Sequence, residues 1–117
     1  MADKRIFDME MLLQSTCDDK ELAGQVVGVF LADIPIQLAD LEAALAGGDA
    51  KTAERVSHSI KGASATVGGE ALREVAYACE QFGRDGKLDE LRTRMAELRE
   101  CYADLEKELR ANGFSEA

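Results

Sequence analysis

Leu91, Met95, Leu98, Tyr102, Leu105 and Leu109 follow one another at alternating steps of four and three. An α-helix turns once in about 3.6 residues, so this alternation lays all six side chains along one stripe, where a strand would scatter them over both faces. Such a stripe must be covered by others like it, and the rest of the chain supplies them. From about Asp18 to Ala46 the residues Leu22, Val26, Phe30, Ile34, Leu38, Leu41 and Leu45 follow at steps of four and three, mostly four. A third segment, about Ala50 to Val67, carries Val56, Ile60, Ala63 and Val67, and a fourth, about Glu70 to Gly83, carries Leu72, Val75, Ala76, Cys79 and Phe82. A short opening segment holds Phe7, Met11 and Leu12.

Turn-forming residues fall between these stretches, at Thr16-Cys17-Asp18-Asp19, Gly47-Gly48-Asp49, Gly68-Gly69 and Arg84-Asp85-Gly86, and again at Asn112-Gly113. Asp49 suits the N-cap of the third helix. Pro35 predicts a bend in the second rather than a break, because the stripe resumes in register after it. Helices joined by connections this short become antiparallel neighbours. The expected fold is therefore all-α, an antiparallel up-and-down four-helix bundle with a short N-terminal helix, and residues 1–117 form a single helical domain.

A chain of 117 residues has room for one core but not for a catalytic domain and a cofactor domain together. Its net charge is −9, from 14 Lys+Arg against 23 Asp+Glu, with no basic cluster, which argues against nucleic acid. Asp3, Lys4 and Arg5 open the chain without an apolar run behind them, and later apolar stretches are interrupted by Asp, Gln or Gly. Neither a signal peptide nor a membrane span is expected. Cys17, Cys79 and Cys101 lie far apart and form no C-x-x-C pair, so they read as reduced thiols of a cytoplasmic protein. One histidine and three scattered cysteines assemble no plausible metal shell.

Chemistry then rests on that histidine. With Val56 as the zero of a helical wheel, Ile60, Ala63 and Val67 fall within roughly 40° of it and His58 about 200° away. His58 is thus expected on the exposed side, with Lys61, Gly62, Ala65 and Gly69. A lone exposed imidazole is ordinarily a solvated surface residue, and Lys61 alone reads as a solvated lysine. Gly62 is harder to dismiss, because glycine inside a helix costs about 1 kcal/mol relative to alanine and no core contact asks for its smallness. With Ala65 and Gly69 it leaves one flank of His58 nearly bare, open to another protein surface. Lys61, three residues on, sets an ammonium beside any phosphoryl group on the ring.

The run His58-Ser59-Ile60-Lys61-Gly62-Ala63-Ser64-Ala65-Thr66-Val67-Gly68 resembles the motif of histidine-containing phosphotransfer (HPt) domains, H-x-[LI]-K-G with a glycine six residues later. The similarity extends to Phe7-Asp8, Leu12-Leu13, Phe30-Leu31-Ala32-Asp33-Ile34-Pro35, Ala44-Leu45, Gly48-Asp49, Leu72 and Cys79-Glu80. Carried across the matching positions, the resemblance implies that His58 is phosphorylated, that Lys61 lies beside the phosphoryl group and that Gly62 gives the partner clearance. It further implies that a polar side chain of the following helix holds the other ring nitrogen. Glu80 is the candidate there and Gln81 the fallback, although Glu80 also reads as an ordinary boundary glutamate.

The function so implied is that of a phosphocarrier in a multistep two-component phosphorelay, which takes a phosphoryl group from a receiver-domain aspartate reversibly and passes it to another receiver. No Gly-rich phosphate loop or Walker pattern appears, so the chain is expected to be no enzyme and to carry no cofactor. Magnesium and the acceptor carboxylate are then expected from the partner. Implied partners are receiver domains of response regulators or a hybrid histidine kinase, with no nucleic acid and no membrane, and the chain itself a monomer. Val27 and Leu31 form a second stripe which, with Phe7, Met11 and Leu12, makes either a docking patch or the seat of the N-terminal helix. A rival reading is a noncatalytic helical bundle that binds or inhibits a signalling kinase, its histidine incidental. A kinase dimerisation helix pair fits less well, because Ser59 stands where an acidic residue usually follows the histidine and no ATP-binding module fits in the chain.

Overall fold

Asp8, Asp19 and Asp49 each turn a side-chain oxygen back onto an amide of the helix that follows, Asp8 on Glu10 at 3.0 Å, Asp19 on Leu22 at 3.1 Å and Asp49 on Thr52 at 3.1 Å. Each satisfies a backbone donor that a helix start leaves unpaired, and so fixes where the helix begins. In the computed structural model, which describes residues 6–117, these caps open α1 (Met9–Ser15), α2 (Lys20–Ala46) and α3 (Ala50–Thr66). They are followed by α4 (Glu70–Arg84) and α5 (Leu88–Ala111), and the described residues contain no strand. The charged opening at Asp3, Lys4 and Arg5 lies outside the described residues.

Each of α2 to α5 packs on the next, α2 meets α5 to close the bundle, and α1 lies against α2 and α3. All six residues of the α5 stripe are buried, as the spacing predicts. The buried face of α2 is rotated from the predicted one: Ala23, Val27 and Leu31 are inside with Phe30, Ile34, Leu38, Leu41 and Leu45, whereas Leu22 is exposed and Val26 only partly covered. α2 packs against α1 as well as α3 and α5, and a helix covered from three sides buries a wider arc than a single stripe. Val27 and Leu31 are fully buried, as is Leu12, and so form no docking patch. By length and composition alone α2 is apolar enough to cross a membrane, as the core helix of a bundle can also be. In the bundle Phe30, Leu31, Ile34 and Leu41 lie in the core, whereas Leu22, Val29 and Ile36 are exposed.

Pro35 sits within α2, which runs on without a break. Lacking an N–H, it leaves the Leu31 carbonyl four residues earlier without its helical donor. The hydroxyl of Tyr102, from α5, donates to that carbonyl at 3.3 Å. At the α3–α4 turn Gly68 has φ of +81°, and a β-carbon there would lie 2.3 Å from the Asp8 carbonyl oxygen. Its own carbonyl accepts from the Asp8 amide at 2.9 Å, which ties the start of α1 to this turn. Gly69 departs from the exposed strip predicted for it. The helix ends at Thr66, so the wheel no longer applies, and Gly69 is buried beneath Leu105.

Candidate functional site

α3 and α4 are the most intimately packed pair of helices, and a glycine makes that closeness possible. A β-carbon on Gly83 would lie 2.8 Å from the backbone nitrogen of Glu54 and 2.9 Å from its Cα, nearer than side chains pack. From this contact the antiparallel register sets Glu80 against His58 one turn along, and Tyr77 against Lys61 beyond it.

His58 stands on the outer side of α3 with 65 % of its side chain exposed, while Val56 and Ile60 face the core. Its Nδ1 lies 2.6 Å from Oε2 of Glu80. The other carboxylate oxygen, Oε1, lies 2.7 Å from Nζ of Lys61. Glu80 is only 13 % exposed, and burial by itself raises a carboxyl pKa. The opposing contacts with Lys61 and His58 outweigh it and hold Glu80 below its ordinary range. It is therefore ionised near neutrality. An ionised carboxylate only accepts hydrogen bonds, so Nδ1 carries a ring hydrogen, and in the neutral form of the imidazole the lone pair lies at Nε2. That nitrogen has no hydrogen-bond partner among the described residues.

Lys61 lies on the exposed side of α3, yet only 24 % of its side chain is accessible. Its ammonium is held by Glu80 and sits 5.1 Å from the centroid of the Tyr77 ring. Gly62 is exposed, and a β-carbon there would meet nothing within 4 Å, so the chain's own packing does not require glycine at this position. Lys61, Gly62, Ala65, Arg73 and Tyr77 line a shallow recess that begins one turn along α3 from His58. The four predicted site residues, His58, Lys61, Gly62 and Glu80, thus share one face, and Glu80 rather than Gln81 occupies the position beside the ring.

Tyr77 and Gly83 were not among the residues singled out from sequence. A signal for Tyr77 existed, since it precedes Glu80 by three residues and so shares its face of α4. Cys79, on the helix that carries Glu80, is poorly placed as a nucleophile: its thiol is buried, and desolvation pushes its pKa up to about 11. No group of three or more His, Cys, Asp or Glu side chains converges to hold a metal among the described residues.

A sequence model of the Hpt domain family matches residues 25–108. The chain is 27 % identical over 93 residues to the phosphorelay intermediate protein rdeA of Dictyostelium discoideum, covering 80 % of this chain and 37 % of that protein. It is 29 % identical over 92 residues to multistep phosphorelay regulator 1 of Schizosaccharomyces pombe, covering 75 % of this chain and 31 % of that one. The chain thus spans about a third of the length of these relatives. Among solved structures, the crystal structure of the HPT domain from an Hpt sensor hybrid histidine kinase of Shewanella superposes with a TM-score of 0.81 at 18 % identity, covering 93 % of this chain and 94 % of that one.

Proposed function

The chain belongs to the Hpt domain family, and from that premise we propose that it is a phosphocarrier of a multistep phosphorelay, reversibly phosphorylated on His58. One observation supports this above the others. An ionised, largely buried Glu80 holds Nδ1 and leaves the Nε2 lone pair open to solvent.

In the proposed step, Nε2 attacks the phosphorus of a receiver's aspartyl phosphate in line. The N–P bond forms as the bond to the aspartate oxygen breaks, and the carboxylate leaves with the electron pair. The ring becomes cationic as it bonds to phosphorus, and the Glu80 carboxylate at 2.6 Å stabilises that charge in place. Lys61 offsets charge on the phosphoryl oxygens, and Gly62 lets the receiver surface approach. Because the N–P bond is itself reactive, the reverse transfer to a second receiver uses the same contacts. Magnesium, on this reading, is bound by the receiver, and this chain acts as a carrier rather than an enzyme. Receivers of response regulators or of a hybrid histidine kinase are the proposed partners, and the chain is proposed to act as a cytoplasmic monomer.

The test is incubation with a labelled phosphorylated receiver and magnesium. Wild type is expected to acquire label that is lost in acid and kept in alkali, the lability of a phosphoramidate. His58→Gln is expected to acquire none while keeping its helical circular dichroism, since the side chain is exposed. Absence of label on wild type with every receiver of its organism would favour the rival reading, a noncatalytic bundle that binds or inhibits a signalling kinase.

A further inference from the structure

We propose that Tyr77 is a positioning residue for phosphotransfer, acting through Lys61; the inference rests on the carrier reading above. A lysine on the outer side of a helix ordinarily wanders, because its four-carbon stem has many rotamers and its ammonium is strongly hydrated. Lys61 does not have that freedom. Its ammonium lies between Oε1 of Glu80 at 2.7 Å and the Tyr77 ring face, 5.1 Å from the centroid.

The chemistry of the two contacts differs in a way that suits a group which must exchange partners. Glu80 carries a full negative charge, and once a phosphoryl group is on Nε2 it competes with that group for the same ammonium. A second carboxylate would hold Lys61 more firmly, yet it would also repel the incoming phosphoryl group. An aromatic face attracts the cation through its quadrupole without adding formal charge. Lys61 can therefore turn from Glu80 toward the phosphoryl oxygens while its ammonium stays over the ring.

Tyr77 has no evident task in folding. It is a large side chain left 45 % exposed at the surface, and its hydroxyl has no hydrogen-bond partner among the described residues. The ring, not the hydroxyl, is what the arrangement uses. Tyr77 borders the same recess as Lys61, Gly62 and Ala65, so the ring and the ammonium share one open surface.

The test uses the small donor phosphoramidate, so that no docking surface enters the measurement. The Nε2–P bond forms as the P–N bond to departing ammonia breaks. Tyr77→Leu is expected to slow labelling of His58 by about three- to tenfold, the range of an ammonium–aromatic contact, and Tyr77→Phe to restore the rate. In a Lys61→Ala background the Leu substitution is expected to have no further effect, since a positioning residue has nothing left to position. A purely structural role would instead slow both backgrounds alike. The protons beside Lys61 Nζ supply a second readout, because the ring face shifts their resonances upfield in wild type and Tyr77→Phe but not in Tyr77→Leu. Equal rates for Tyr77→Leu and wild type, equal slowing in both backgrounds, or failure of Tyr77→Phe to restore the rate would each overturn the inference while His58 remained a phosphate acceptor. A wild type left unlabelled by phosphoramidate and by receivers alike would overturn the carrier reading and this role with it.

Discussion

Gly83 of α4 lies so close to Glu54 of α3 that a β-carbon on it would stand 2.8 Å from the Glu54 backbone nitrogen. One turn further along the same seam, Glu80 reaches His58. The seam cannot widen at Gly83 without drawing the carboxylate away from the ring.

Gly83→Ala tests this directly. In a helix the change would by itself stabilise by about 1 kcal/mol, but here the added carbon meets backbone, which can move only with its helix. Overpacking of that kind costs about 1–3 kcal/mol. Urea denaturation is expected to show net destabilisation, and transfer to His58 is expected to slow as α4 is pushed outward. A variant more stable than wild type would mean that the helices are not in this contact.

Tyr102→Phe examines the proline in α2. The Leu31 carbonyl, deprived of its helical donor by Pro35, accepts from the Tyr102 hydroxyl at 3.3 Å. Burial raises the phenol pKa to about 12, so the hydroxyl stays protonated throughout the physiological range. Removing it leaves a buried carbonyl unpaired, at a cost of about 1–2 kcal/mol. With Pro35→Ala already present, which restores an amide at position 35, the same substitution is expected to cost measurably less. A double-mutant cycle by thermal denaturation gives the coupling, and strict additivity would break the link between the two residues.

What could be read from the sequence divides along physical lines. The α5 stripe was fully legible because six residues at steps of four and three define it and all six are buried. α2 was legible as a helix but not in its facing, since it packs against α1 as well as α3 and α5 and buries Ala23, Val27 and Leu31 in place of Leu22 and Val26. The outward side of α3 followed from the Val56–Ile60 stripe, so His58, Lys61 and Gly62 could be placed before the fold was known, whereas Gly69 could not, because the helix stops at Thr66. Glu80 came from family resemblance rather than from periodicity. Tyr77 and Gly83 depend on the register between two helices, which no pattern within either helix contains.

Gly62→Gln separates folding from docking. A β-carbon at Gly62 meets nothing within 4 Å, so a longer side chain is accommodated and helix propensity favours it. Stability is expected to hold or rise by up to about 1 kcal/mol. Transfer from a phosphorylated receiver is expected to slow by about tenfold or more, because approach of the reacting groups is sensitive to small displacements. Labelling by phosphoramidate should be nearly unchanged. Equal transfer rates from the receiver would remove clearance as the reason for the glycine.

Glu80 makes stability depend on pH with a definite sign. Although burial opposes it, the contacts with Lys61 and His58 lower its pKa below the ordinary 4.5, so the folded state binds this proton less readily than the unfolded chain does. The resulting stabilisation is complete above that ordinary value and is lost as the pH falls through the lowered one. Glu80→Gln keeps a side chain of similar shape that can still accept from Nδ1, but it carries no charge for Lys61 or for the ring. The stability difference between wild type and Glu80→Gln is therefore expected to shrink as the pH falls from the ordinary 4.5 through the lowered value. Urea denaturation across that range measures it. Transfer at neutral pH should also slow by about tenfold, as expected when a preorganised charge near the reacting group is lost, with Glu80→Ala slower still. A stability gap that did not change with acidification would show that Glu80 is not held ionised by His58 and Lys61.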